Sequence, residues 1–230
     1  MGPGELGLLR GNNMKAQKGF TLVEIAIVLV IIGLLLGGIL KGQEMITQAK
    51  IKNVIADFSG ISAAYHGYQD RYRAIPGDDP NTETRWGTAA KKGDGNGVVG
   101  GTYNNAGAAC ADTVEACNWW DHLRRAGFVS GSGVTQPFNA LAGLLGVQTG
   151  NANTATPGPI MGGFAGLIMC SANLPDKIAI ATDTQMDDGV PNAGTVRGDL
   201  QTTPNPDLDN APVATYAETG TNIYVLCRSL

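Results

Sequence analysis

Residues Phe20–Leu40 read FTLVEIAIVLVIIGLLLGGIL and carry a single charge, Glu24. A helix over this run is about 31 Å long, enough to cross a bilayer's hydrocarbon core. No small domain can bury such a segment on every side, so the run constrains the chain more than any other feature. Beyond it the sequence continues KGQEMITQAK, without the small-x-small site at which a secretory peptide is cut. The segment is therefore expected to stay in the mature chain. Lys15 and Lys18 precede it, which places the N-terminus in the cytoplasm and the rest outside.

The helical pattern outruns the apolar segment. Ile51, Val54, Ile55, Phe58, Ile61, Tyr65, Tyr68 and Tyr72 recur at steps of three and four, one face of a helix. Pro76-Gly77 ends the pattern, and Ile75 before the proline is biased away from helix. A helix over residues 20–74 would be about 82 Å long. Gly33, Gly37, Gly38, Gly42, Gly60 and Gly67 interrupt it, each costing roughly 1 kcal/mol relative to Ala in water. Gly33 and Gly37 have the small-xxx-small spacing of closely packed membrane helices. The tyrosines at 65, 68 and 72 are read as packing beneath a sheet, not as a path for conduction.

Charge divides the chain further. Residues 76–230 hold eight basic and fifteen acidic groups, against a formal net charge of −4 for the whole chain. An acidic head lacks the basic face that phosphate neutralisation requires, so no nucleic-acid partner is expected. The organisation reads as a leader over 1–19, an apolar helix over 20–41, its amphipathic continuation over 42–75 and a head over 76–230. Within the head, 76–108 reads as irregular loop and 131–159 as low-complexity loop. Asn118–Ala126 reads as a short helix capped by Asn118 and stopped by Gly127. Phe164–Cys170, Lys177–Thr182 and Asn222–Arg228 read as strands. A long helix followed by antiparallel strands is an α+β pattern.

Two features at the start of the first segment do not suit a plain anchor. Glu24 lies only five positions into the span, where a charged, unpaired carboxylate costs several kcal/mol. No Lys, Arg or His lies between Phe20 and Leu40, so its partner must come from elsewhere or the group is protonated. Gly19 sits at the boundary between charge and apolar run.

Lys18-Gly19-Phe20-Thr21-Leu22-Val23-Glu24-Ile25 ahead of a long apolar run resembles the signal of type IV prepilins and of type II secretion pseudopilins. The resemblance covers about residues 15–75 and reaches the head only loosely. It implies a pilin-like α+β fold, with a small antiparallel sheet packed on the second half of the long helix. It implies cleavage between Gly19 and Phe20 by a prepilin peptidase, and N-methylation of Phe20 by the same peptidase/methyltransferase. It also implies that Glu24 pairs with the new Phe20 amine of a neighbouring subunit, which would supply the missing cation and set axial register. The chain is then an inner-membrane precursor in a bacterium. Its destination is an extracellular type IV pilus, as a major or minor subunit, or a periplasmic pseudopilus as the alternative. Its partners would be copies of itself or other pilins in a helical filament. Met14 as the start would give the six-residue leader MKAQKG that is usual for the commonest pilins.

The four cysteines are Cys110, Cys117, Cys170 and Cys227. Outside the cytoplasm disulfides are expected, in one of three connectivities. Cys110–Cys117 with Cys170–Cys227 is favoured, since the second pair would staple two expected strands, as a C-terminal disulfide does in many type IV pilins. A zinc site is the rival, but Cys-x6-Cys lacks paired C-x2-C spacing.

Asp94-Gly-Asn96-Gly resembles the start of a calcium loop, then departs from it at Val98 and Val99. Asp187-Asp188 and Asp78-Asp79 are acidic pairs in turn-like sequence. Pseudopilin heads can bind calcium, so calcium on these loops stands beside the reading of solvated turns; no other cofactor is expected. His66 falls in the long helix, and the pair Asp121-His122 in the short one is read as surface groups. No Gly-x-Ser-x-Gly, phosphate loop or HExxH is present, so no enzyme is expected. An enzyme or binding protein on a plain anchor would need an apolar pocket with converging polar groups, and the sequence gives no sign of one.

Overall fold

A computed structural model describes residues 19, 21–105, 110, 113–150, 160–208 and 212–230. In order, the elements are α1 (Leu22–Tyr72), α2 (Thr82–Trp86), α3 (Glu115–Arg125), β1 (Leu145–Thr149), β2 (Leu167–Pro175), α4 (Asp176–Met186), β3 (Val196–Leu200) and β4 (Ile223–Ser229). The architecture is α+β and pilin-like: one long N-terminal helix and a four-stranded antiparallel sheet of order β1-β2-β4-β3.

The chain divides into two compact units after Met45. In the first, α1 carries its apolar side chains outward. Leu22, Leu34 and Leu40 are 90%, 74% and 67% exposed. A methyl added at Gly33, Gly37, Gly38 or Gly42 would meet nothing within 4 Å. This stretch is long and apolar enough to cross a membrane.

The second unit is built on the rest of α1. Ile51, Val54, Phe58, Ile61, Ala64, Tyr65 and Tyr68 are buried, the stripe that a 3.6-residue period lays along one side. They pack with Trp119, Trp120 and Leu123 of α3 and with Leu145, Val147, Met169, Tyr224 and Leu226 of the sheet. The opposite sheet face, with Ile168, Cys170, Ala172, Val225 and Cys227, closes on Tyr103, Ile160, Met161, Phe164 and Leu208. Alternate residues of β2 thus enter two cores, as the two-residue period of a strand requires.

Several expectations are corrected. Lys177–Thr182 is not a strand but the first part of α4. Its alternating Ile and Ala suggest a strand, yet Asp176, Ile178, Ala179, Thr182 and Asp183 share one buried helical face. Pro175 ends β2 beside it, and the Asp176 carboxylate receives the N–H groups of Lys177, Thr219 and Gly220, each at 2.7 Å. The expected strand Phe164–Cys170 begins later, at Leu167, and runs on to Pro175. Phe164 instead makes an isolated bridge with Ile160.

The short helix starts at Glu115, not after Asn118, which is buried inside it; Val114 stands at its N-cap without a capping side chain. Its stop is at Gly127, with φ +81°. There Phe128 N–H bonds Leu123 O at 3.0 Å and Gly127 N–H bonds Arg124 O at 3.0 Å, a Schellman pair. α2 lies in the expected loop 76–108, and β1 in the expected loop 131–159.

Gly146 shows how tightly β1 is held. A β-carbon there would lie 1.8 Å from Tyr103 O and 2.6 Å from Gln136 Nε2. At Gly166, an exposed glycine nearby, it would meet nothing within 4 Å. Gly146→Ala should destabilise the head by about 1–3 kcal/mol, while Gly166→Ala should leave it nearly unchanged. Thermal unfolding of the detergent-solubilised chain checks this; equal melting temperatures for the two variants would contradict the described packing.

Candidate functional site

The signal region lies at the start of α1. Gly19 is exposed; Phe20, the expected cleavage and methylation residue, lies outside the described residues. Glu24 falls in the first helical turn. Its Oε2 accepts the Thr21 N–H at 2.8 Å and the Thr21 hydroxyl at 2.9 Å, and its own N–H donates to Thr21 Oγ1 at 3.3 Å. This reciprocal arrangement is a capping box, with Thr21 as cap and Glu24 three residues on. Thr21 thus gives Glu24 polar contacts within its own chain, but not the cation that the sequence lacks between Phe20 and Leu40. Thr21 was missed as a site residue, although Thr-x-x-Glu at the head of an apolar run is the capping-box signature.

The acidic pairs of the head resolve into three places. Asp78, Asp94 and Glu115 bring carboxylate oxygens within 4.8 Å of one another. Asp78 accepts the N–H groups of Gly95 at 2.6 Å, Asn96 at 3.1 Å and Gly97 at 2.8 Å. Glu115 accepts those of Asp94 at 3.1 Å and Gly100 at 2.9 Å. Asn96, expected beside Asp94, donates to it through its side-chain amide at 2.8 Å. Burial pushes the Asp78 and Glu115 carboxyls above their ordinary values, against the pull of these amides.

Asp187 and Asp188 stand with Asp183 in the same way. Asp187 accepts Thr195 N–H, and Val196 N–H at 2.9 Å; Asp188 accepts Val190 N–H at 2.8 Å. Asp183 is buried, which raises its carboxyl, and accepts the Tyr216 hydroxyl at 2.5 Å. Carboxylate oxygens are the hard ligands that calcium takes. In both groups many of those oxygens already receive backbone or hydroxyl donors, so each group organises its own loop.

Asp79 is a different case. It is fully buried, accepts the Tyr68 hydroxyl at 2.7 Å and Asn81 N–H at 2.8 Å, and is ion-paired with Arg85. It ties α1 to α2. Asp121 and His122 are corrected from surface to interior, at 4% and 0% exposure. Nine consecutive residues of α3, Glu115–Leu123, are buried, so neither side chain reaches open solvent. Asp121 pairs with Arg125 at 2.5 Å. His122 Nδ1 accepts Gly77 N–H at 2.7 Å, which leaves the proton on Nε2, donated to Lys91 O at 2.7 Å. His66 is exposed.

The structure pairs Cys110 with Cys117 and Cys170 with Cys227. The second bond joins directly opposed residues of β2 and β4, with Cα atoms 4.0 Å apart. A groove of about 680 Å³ is lined by Pro80, Lys92, Asp94, Asn96, Val98 and Glu115. Of the acidic residues described above, Asp94 and Glu115 line it.

Residues 14–40 match the family model of the prokaryotic N-terminal methylation motif. This is the prepilin-type cleavage and methylation signal of type IV pilins and pseudopilins, which are generally structural subunits and not enzymes. The match ends at Leu40 and does not reach the head. No curated protein and no solved structure matches the chain.

His122 gives the head a pH dependence. Burial lowers its folded pKa from 6.5, opposed by Lys91 O and the charges of Asp79 and Asp121, with Arg85 acting in the same sense as burial. The unfolded chain therefore binds this proton at higher pH than the folded one. The stability it contributes is complete above about pH 6.5 and is lost as pH falls below it. Asp78, Glu115 and Asp183, with raised pKa, act in the opposite direction. His122→Gln keeps one acceptor and one donor and removes only the titration. Its melting temperature should fall less than that of the parent between about pH 7 and about pH 5; parallel curves would show that His122 is not responsible.

Proposed function

We propose that the chain is a structural subunit of a type IV pilus, made as an inner-membrane precursor and assembled through α1. The observation that carries this reading is the conjunction of the methylation motif with an apolar half-helix that has no core of its own. Leu22, Leu34 and Leu40 are exposed beside a head whose two cores are closed without them. Apolar surface of that extent belongs in lipid or against other copies. A prepilin peptidase cuts between Gly19 and Phe20, and the new amine of Phe20 is methylated. Polymerisation then moves the half-helix from lipid into a filament core.

In that core the Phe20 ammonium of one subunit meets Glu24 of the next. A compact charge pair in a low-dielectric setting is strong when both partners are present and costly when one is missing. That asymmetry makes the pair a device for register: subunits shifted along the axis leave two charges unpaired. The head faces outward, with the two disulfides suited to an oxidising compartment. A type II secretion pseudopilin shares the signal and the helix; a neighbouring secretin and secretion ATPase, in place of a retraction ATPase, would favour it.

Intact-mass and N-terminal mass spectrometry, on unreduced protein from cells that make it, tests the processing. The expected chain begins at N-methyl-Phe20 and is four hydrogens lighter than its thiol form, two for each disulfide. A chain still beginning at Met1 or Met14 would overturn the reading.

A further inference from the structure

Asn96-Gly97 is the single Asn-Gly pair in the chain. Asparagine before glycine is where a side-chain amide most readily cyclises onto the backbone, because the attacking nitrogen carries no crowding side chain. Asn96 is exposed and lines the groove with Asp94 and Val98. Gly97 has φ +85°, and a β-carbon there would meet nothing within 4 Å. Water therefore reaches both residues. Each reacting atom is also held. The Gly97 N–H donates to Asp78 Oδ2 at 2.8 Å. Asn96 Oδ1 accepts the Val98 N–H at 2.7 Å, which lays the side chain across the intervening peptide and polarises its carbonyl. Asn96 Nδ2 donates to Asp94 Oδ2 at 2.8 Å. Asp78 is buried, and burial raises its carboxyl, which makes it a stronger base than a surface carboxylate.

We propose that Asn96 is a self-modification site: the folded head deamidates it to aspartate and isoaspartate through a succinimide, with Asp78 as the base. Asp78 Oδ2 takes the Gly97 proton as the Gly97 nitrogen bonds to Asn96 Cγ. The charge that builds on Oδ1 is met by the Val98 N–H. The Cγ–Nδ2 bond then breaks, and the nitrogen leaves as ammonia with the proton that Asp78 took. Water opens the ring at either carbonyl. Water is consumed and ammonia released, and no oxidant or reductant takes part. The product places a carboxylate where an amide had donated to Asp94, beside the cluster of Asp78, Asp94 and Glu115. The change runs one way, so the charge at this position records the age of each head.

The full chain, solubilised in detergent, is kept near neutral pH in heavy-oxygen water, and its peptides are mapped by mass over several days. A parallel sample is unfolded in guanidinium chloride, which removes Asp78 from Gly97 and leaves the Asn-Gly pair intact. Asn192, exposed and followed by alanine, is the internal clock. Asn96 should exchange its amide for a labelled carboxyl about tenfold faster in the folded sample than in the unfolded one. Asn192 should gain nothing from folding. Asp78→Asn should bring the folded rate down to that of the unfolded chain, while Asp94→Asn should leave it close to the parental rate. A parental rate at Asn96 that is equal or slower when folded would overturn the proposal, since the loop would then only shield its asparagine. Equal losses from Asp78→Asn and Asp94→Asn would overturn Asp78 as the base.

Discussion

The stripe Ile51–Tyr68 on α1 is the interaction on which the head depends. It packs with both α3 and the sheet, and it lies on the same helix whose first half exposes its apolar side chains. The sequence changes character where the task changes. Up to Leu40 apolar residues surround the helix, as suits lipid or a filament core. From Ile51 they keep to one side, and Lys52, Asn53, Ser59 and His66 take the other. One element therefore answers to two solvents, and the head can be complete as a folding unit while half of its longest helix is not.

Polar fastening does the rest. The segment between α1 and α3 has little regular structure beyond α2, so its backbone groups need side-chain partners. Asp78, Asp79, Glu115 and His122 supply them, each buried and each aimed at N–H or C=O groups of that segment or its neighbours. Asp79 also reaches Tyr68 on α1, which joins the polar network to the apolar stripe. A buried charge left without such partners costs far more than a surface one. These loops thus have one good arrangement, though they are rich in glycine and poor in hydrophobic groups.

The parts of this architecture that were legible in the sequence were those with long, repeated signals. The apolar run, the stripe on α1 and the signal around Gly19-Phe20-Glu24 each involve several residues at fixed spacing. Gly127 as a helix stop was legible because only its local chemistry matters. The head was legible only in part, since its strands are short and their partners distant. β3, with Arg197 and Asp199, has no apolar alternation of its own; it is a strand because β4 offers it a ladder. β1 contains a glycine that marks a close approach of Tyr103, which no local pattern reveals. Ile178 to Thr182 alternates like a strand and is helical because Pro175 ends β2 and Asp176 gathers three N–H groups. At the site, the acidic pairs were visible as pairs, but Glu115 and Asp183 joined them through folding alone.

The sheet order carries a consequence for biogenesis. β4 follows every other described element in the chain, yet it lies between β2 and β3. Until it has arrived, β3 has no neighbour, Cys170 has no partner and half of each sheet face is missing. The four-stranded sheet and its disulfide therefore cannot be complete until the last strand of the chain has been made. The long helix at the chain's start is thus finished well before the sheet that packs on its second half can be.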